Sequence, residues 1–103
     1  MSLADEYKDW RLENVRLIIL KALAAERGGV MNDYGLSKEL EAFGHRKTTD
    51  FVRNQLLWLE EEAGAVRTRV IGTAMMAELT KTGRDHVERR HQLIGVQAPG
   101  DPD

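Results

Sequence analysis

The first pattern of hydrophobic and polar positions lies near the amino terminus. Between residues 3 and 26, apolar residues recur every three or four positions, a spacing that predicts a helix with a broad buried face. Acidic residues in the first turns and two glycines in ERGG fit the start and the end of this helix. Tyr7 and Trp10 form a separate apolar patch, which we expect to pack in the core or to contact a second subunit.

Two shorter helical patterns follow. NDYGLSKELEAFG starts with a capping residue, Asn32 or Asp33, and ends at a glycine. TTDFVRNQLLWLEEEAG starts after a cap at Thr48 and carries apolar residues at the spacing of a buried helical stripe. Because only GHRK joins these helices, the pattern predicts a helix-turn-helix over about residues 33–63.

Strand periodicity replaces helical periodicity after residue 64. AVRTRVIG and TAMMAELT meet at Gly72, which predicts a hairpin over about residues 65–80, and GGVMN could hold one more short strand. Thr80 is placed to cap a closing helix. Gly83 is a poor helix former, so we expect it to mark a close backbone approach.

These patterns predict a mainly α protein with a small β-hairpin, in the α+β class. The order is helix, short strand, helix, helix, hairpin and helix. We assign one domain to residues 1–90 and a mostly irregular tail to residues 91–103, in which LIGV could dock on the domain. A chain of 103 residues leaves no room for a second core.

The sequence motifs of this chain resemble those of a known protein family. FVRNQLLWLEEEAGAVRT followed by AELTKTGRDHVE resembles the recognition helix, wing and closing helix of bacterial winged-helix regulators of the ArsR or MarR kind. LEAFGHRKTTDFVRNQLLWLEEEAGAV is similar, more narrowly, to small winged-helix proteins of unknown function encoded by Mu-like prophages. The resemblance covers about residues 12–96 and implies a winged helix-turn-helix fold with suspected DNA binding.

Composition narrows the chemistry. The chain has no cysteine, which excludes disulfides and the cysteine pair of ArsR-type metal sensors, and a reducing compartment is therefore allowed. No apolar run is long enough for a membrane span, and the acidic amino terminus is unlike a secretory signal, so we expect a cytoplasmic protein of the bacterial host. A net charge of −2 disfavours nonspecific coating of nucleic acid, so any DNA contact must be local.

Basic residues cluster around the predicted recognition helix. Arg46 and Lys47 lie in the turn, and Arg67 and Arg69 lie on one face of the hairpin; all four are expected to contact phosphates of double-stranded DNA. The helix itself is expected to meet phosphates and base edges through four side chains, of which Arg53 is the best candidate for a guanine contact: Thr48, Thr49, Arg53 and Asn54.

Other interpretations remain open. Glu60, Glu61 and Glu62 end the recognition helix and would suit a protein-docking adaptor in phage replication, transposition or assembly better than a DNA reader. We predict a homodimer, and neither a catalytic residue, a cofactor nor a metal ligand. Trp58 is expected to pack in the core or at an interface, and the three histidines are expected to be solvated: His45, His86 and His91.

Overall fold

The computed structural model describes residues 2–100, which form four α-helices and one three-stranded antiparallel sheet. The sheet order is β1-β3-β2, and a 3-10 turn over Arg27–Gly29 precedes β1. The predicted α+β class, mostly helical with a hairpin, is confirmed. The elements are α1 (Leu3–Ala25), β1 (Val30–Asn32), α2 (Asp33–Ala42), α3 (Thr49–Glu61), β2 (Val66–Ile71), β3 (Ala74–Leu79) and α4 (Lys81–Val87).

The helices begin at local side-chain caps. The Asn32 side chain accepts a hydrogen bond from the Gly35 amide at 2.8 Å, so Asn32 rather than Asp33 is the cap of α2. Thr48 accepts one from the Phe51 amide at 3.1 Å and starts α3. Thr80 accepts one from the Gly83 amide at 3.2 Å and starts α4. The caps predicted at Thr48 and Thr80 are confirmed.

Thr80 also fixes where the hairpin joins α4. Its hydroxyl donates a hydrogen bond to the Gly64 carbonyl at 2.7 Å, and its amide donates one to the Ala65 carbonyl at 3.0 Å. Gly83 lies directly against this junction, where a Cβ would overlap the Ala65 carbonyl oxygen and a methyl group of Leu79. The close approach predicted at Gly83 is therefore confirmed, and it sets the packing of α4 against the start of β2.

The core surrounds the second half of α1. Ile19, Leu20 and Leu23 are fully buried, and they pack with apolar residues of α2, α3 and the sheet. On β3, alternate residues face this core, as the strand pattern predicts: Met75, Ala77 and Leu79. No helix within residues 2–100 is long and apolar enough to cross a bilayer.

The segment after α4 returns to the domain. Leu93 and Val96 are buried in the core, whereas Ile94 between them is 95% exposed. The Gln97 amide donates a hydrogen bond to the Glu13 carbonyl on α1 at 3.2 Å. The segment is neither helix nor strand, yet its contacts make it part of the packed structure.

The start of α1 extends beyond the core. Every residue from Ser2 to Trp10 is exposed, and the first buried residue of the helix is Val15. Tyr7 and Trp10 are 58% and 50% exposed, so the expectation that they pack in the core is wrong for this chain by itself. The helical periodicity placed them correctly on α1. It did not show that the start of α1 extends past the other helices and the sheet that pack against it.

Candidate nucleic-acid interface

The turn between α2 and α3 presents its polar side chains to solvent. Arg46, Lys47, Thr48 and Thr49 are all exposed, and so is Asn54 one turn into α3. The start of α3 also offers backbone N–H groups and a partial positive charge, which favour a phosphate. Five of the eight predicted contact residues therefore lie on an accessible surface formed by the turn before α3 and the first part of α3.

Arg53 has a different environment from its neighbours on α3. Its Nε donates to the Asp33 carboxylate at 2.5 Å, and its Nη2 donates to the Thr73 carbonyl in the turn between β2 and β3. The Arg53 side chain is 31% exposed and that of Asp33 only 5%. Arg53 thus links α2, α3 and the hairpin turn, and its assignment to a guanine contact stays a prediction that would require breaking these bonds.

The two arginines predicted on the hairpin are exposed on β2. Arg67 lies opposite Glu78 and Arg69 lies opposite Met76 on β3. Because they are two positions apart on a strand, they share one face of the hairpin, as the alternation predicts. Arg67 has a carboxylate opposite it, so Arg69 is the less compensated of the two charges.

The acidic end of α3 is only partly available to a partner. Glu60 accepts hydrogen bonds from the Thr68 amide at 2.9 Å and from the Thr68 hydroxyl at 2.6 Å. Its carboxylate therefore anchors α3 to β2. Glu61 and Glu62 are exposed, so two of the three consecutive acids contribute negative charge to the surface at the end of α3.

The expectation that His45 is solvated is wrong, because its side chain is 6% exposed. Its Nε2 lies 2.7 Å from Asn14 Oδ1, and the Asn14 amide in turn donates to Gln97 Oε1 at 2.6 Å. His45 Nδ1 has no hydrogen-bond partner within residues 2–100. Burial, reinforced by the positive charges of Arg11 and Lys47, lowers the pKa of His45.

His86 is also buried rather than solvated, with no exposed surface. Its Nδ1 accepts a hydrogen bond from the Leu93 amide at 3.1 Å, so its Nε2 carries the proton and donates to the Gln97 carbonyl at 2.9 Å. Both ring nitrogens thus hold the carboxyl-terminal segment. His91 is exposed, as predicted. Single histidines in a charged stretch give no sequence signal for this role.

Trp58 packs where α3 meets α1 and the carboxyl-terminal segment. The Arg16 guanidinium lies 3.7 Å from the centroid of the Trp58 ring and donates to Gln55 Oε1 and to the Gly95 carbonyl, both at 2.9 Å. A Cβ at Gly95 would lie 2.7 Å from the indole ring. The packing role predicted for Trp58 is confirmed, and the ring is not free to stack on a base.

Two features of the described residues bear on metal binding and on small-molecule binding. Within residues 2–100 no group of three or more histidine, aspartate or glutamate side chains could hold a metal ion. A cleft of about 490 Å³ lies between α1, α2 and the carboxyl-terminal segment and is lined mostly by apolar residues such as Leu17 and Phe43. Its lining includes none of the basic residues of the turn and hairpin.

Comparison with known proteins shows two relatives. The uncharacterized protein gp26 of Escherichia phage Mu is 33% identical over 87 residues, which are 84% of this chain and 88% of the relative. An uncharacterized protein of Haemophilus influenzae is 31% identical over 75 residues, which are 73% of this chain and 72% of the relative. No family model matches the chain. The similarity to the phage Mu protein, which extends over most of both chains, is consistent with a Mu-like phage origin.

Proposed function

The chain belongs to the same family as gp26 of phage Mu, and from that premise we propose that it is a phage- or prophage-encoded winged-helix protein that binds double-stranded DNA and regulates transcription. In this proposal α2 and α3 are the helix-turn-helix and β2 and β3 are the wing. The order of elements supports the assignment, since a helix pair, a hairpin and a closing helix follow one another as in a winged helix. We include in the proposal a homodimer acting in the cytoplasm of the bacterial host.

One observation carries the proposal. α3 is joined to the hairpin through two attachments, one in its first half from Arg53 to the Thr73 carbonyl and one at its end from Glu60 to Thr68. Helix and wing are therefore one rigid unit. A helix in the major groove and a wing on the neighbouring backbone must keep a fixed spacing, and such preorganisation reduces the cost of binding.

The basic residues divide into two roles under this proposal. Arg46, Lys47, Arg67 and Arg69 contact phosphates and set affinity for any duplex. Thr48 and Thr49 bind phosphate or sugar at the start of α3. Asn54, exposed and one turn into the helix, is the side chain best placed to read a base edge, with adenine as the base that suits an amide. Arg53 would contact a base as well only in a complex in which it gives up its hydrogen bonds to Asp33 and Thr73.

The test is duplex binding at low salt with single alanine variants. Selection from a random duplex library gives a site, and fluorescence anisotropy then measures affinity across a salt series. Arg69→Ala should weaken binding to every sequence and lower the salt slope by about one. Asn54→Ala should lose discrimination at one base pair, by about 1–3 kcal/mol. Arg27, exposed after α1, supplies the control Arg27→Ala, which should bind as the unchanged chain does.

A protein-docking adaptor is the second candidate, and a specific observation favours it. The tip of the hairpin is apolar, with Val70 63% and Ile71 54% exposed, and Glu61 and Glu62 are exposed at the end of α3. The exposed apolar side chains at the tip suit an apolar surface of a partner, and the exposed acids at the end of α3 suit a basic one. If the unchanged chain binds no duplex at low salt and Ile71→Ser abolishes capture of a phage protein that Arg69→Ala still captures, the adaptor replaces the DNA-binding proposal.

A further inference from the structure

The first three turns of α1 carry an apolar surface that residues 2–100 leave mostly uncovered. Leu3, Tyr7 and Trp10 are 84%, 58% and 50% exposed, and we call them the α1 seam. The rings of Tyr7 and Trp10 stack with centroids 6.2 Å apart and an interplanar angle of 20°, so they form one continuous surface. A contiguous exposed apolar patch is a common feature of surfaces that bind another protein.

The spacing of the seam identifies the shape of its partner. Its residues are four and then three positions apart, which is the a and d spacing of two helices packed side by side, with Leu3 and Trp10 at d and Tyr7 at a. A projecting helix of about ten residues is marginal in water without such packing. The seam therefore fits a helix that lies along it.

The charges beside the seam identify the partner as a second copy in parallel orientation. Glu6 occupies the g position and Arg11 the e position, and both side chains reach solvent. In a parallel pair, g faces the e position of the next heptad on the other helix, so each Glu6 meets an Arg11 of the second copy. An antiparallel pair would instead bring the two Glu6 carboxylates together.

Arg11 is already held at the edge of the seam. Its guanidinium lies 5.8 Å from the centroid of the Tyr7 ring, and its Nη1 donates to the Tyr7 hydroxyl at 3.4 Å. This contact keeps the charge beside the apolar stripe rather than in open solvent. Less side-chain freedom is then lost when Arg11 meets a carboxylate of the second copy.

We propose that two copies associate in parallel through the α1 seam, with reciprocal ion pairs between Glu6 and Arg11. This inference rests on the homodimer of the proposed function but not on DNA binding. From the 150–250 Å² that an aromatic side chain buries, the seam offers roughly 300 Å² per copy. That is well below the roughly 800 Å² per partner of a standard interface, so we expect a weak dimer whose population depends on the chain concentration.

Sedimentation without DNA tests the surface. The unchanged chain should dimerise as its concentration rises to about 200 µM. Trp10→Ala should weaken association at least tenfold, because it removes the largest aromatic side chain from the contact between the two copies. Tyr34, 60% exposed on α2, gives the matched control Tyr34→Ala, which should associate normally. A monomer throughout that range overturns the homodimer and this inference together. A dimer that Trp10→Ala leaves unchanged overturns the seam alone, and neither result bears on DNA binding.

Charge exchange and crosslinking test the orientation. Glu6→Arg and Arg11→Glu should each weaken the dimer, and the double variant should regain association. Because the chain has no cysteine, Leu3→Cys introduces a single thiol that should form an intermolecular disulfide in a parallel pair. Asp5→Cys, exposed on the opposite face of the same turn, should not form one. Failure of Leu3→Cys to crosslink in a chain that still dimerises, or no recovery in the double variant, overturns the parallel arrangement.

Discussion

Arg53 and Asp33 form an ion pair across the junction of α2 and α3, with Nε 2.5 Å from Oδ2. Asp33 also accepts a hydrogen bond from the Tyr34 amide at 2.9 Å, so its nearly buried carboxylate depends on two donors. The same guanidinium holds the hairpin turn through the Thr73 carbonyl. A side chain that sequence reasoning assigned to DNA thus stabilises the unit that would present α3 to DNA.

Replacing Arg53 tests this structural role. Arg53→Ala leaves the Asp33 carboxylate short of a charged donor and frees the hairpin turn, so we expect the free energy of unfolding to fall by about 1–3 kcal/mol. Urea denaturation measures it. The adjacent and exposed Asn54 provides the control, since Asn54→Ala should change stability by less than about 0.5 kcal/mol. Equal stability of the two variants would mean that the pair adds nothing net to the fold.

Gly83 gives a prediction in which two effects have opposite signs. In an open helix, glycine to alanine stabilises by about 1 kcal/mol. At Gly83 the new methyl group would overlap the Ala65 carbonyl, which is backbone and cannot move aside cheaply, so we expect Gly83→Ala to destabilise by at least about 2 kcal/mol. Gly100→Ala, with nothing within 4 Å, is the control in a thermal melt. A higher melting temperature for Gly83→Ala would contradict the close approach of α4.

Leu93 and Ile94 are neighbours with opposite environments. Leu93 is 6% exposed and belongs to the core, whereas Ile94 is 95% exposed. Leu93→Ala should therefore lower the free energy of unfolding by about 2–4 kcal/mol, and Ile94→Ala by less than about 0.5 kcal/mol. Chemical denaturation of both variants measures the difference. Similar values for the two would mean that the segment after α4 is not part of the cooperative fold.

His45 should make stability depend on pH in a defined direction. The pKa of His45 is lowered in the folded chain. As the pH falls through about 6.5, the unfolded chain therefore binds a proton that the folded chain does not yet bind. Stability is then greatest above that value and falls as the pH drops toward the lowered folded pKa. Urea midpoints between about pH 7.5 and pH 5.5 should show this decline, with a smaller decline in His45→Gln. An identical pH profile for His45→Gln would exclude His45 as the cause.

Sequence reasoning succeeded where the determining contact is local. The side chains of Asn32, Thr48 and Thr80 each accept a hydrogen bond from an amide three residues ahead. A contact of such short range can be recognised from a few consecutive residues of sequence. The periodicity of β3 and the turn at Gly72 are equally local. For that reason the order and approximate ends of the elements could be predicted before any tertiary contact was known.

The contacts that sequence reasoning missed are those whose partner is distant in the chain. His45 meets Asn14 at a separation of 31 residues, and Arg53 meets Asp33 and Thr73 at separations of 20 in each direction. Both residues are polar and lie in charged stretches, so composition favours solvent exposure for each of them. Only the packing of α1 against the turn, and of the hairpin against α3, makes these polar side chains structural.

The bond from Glu60 to Thr68 has a consequence for the outer edge of the sheet. β2 is an edge strand, and an edge strand normally offers free amides on which a strand of another molecule can grow. Near the middle of β2 the Thr68 amide already donates to the Glu60 carboxylate, and the two flanking arginines add charge that an incoming strand would have to cover. The edge is thereby protected against aggregation by a side chain from a neighbouring helix, and Glu60→Ala should expose a template for intermolecular β-structure.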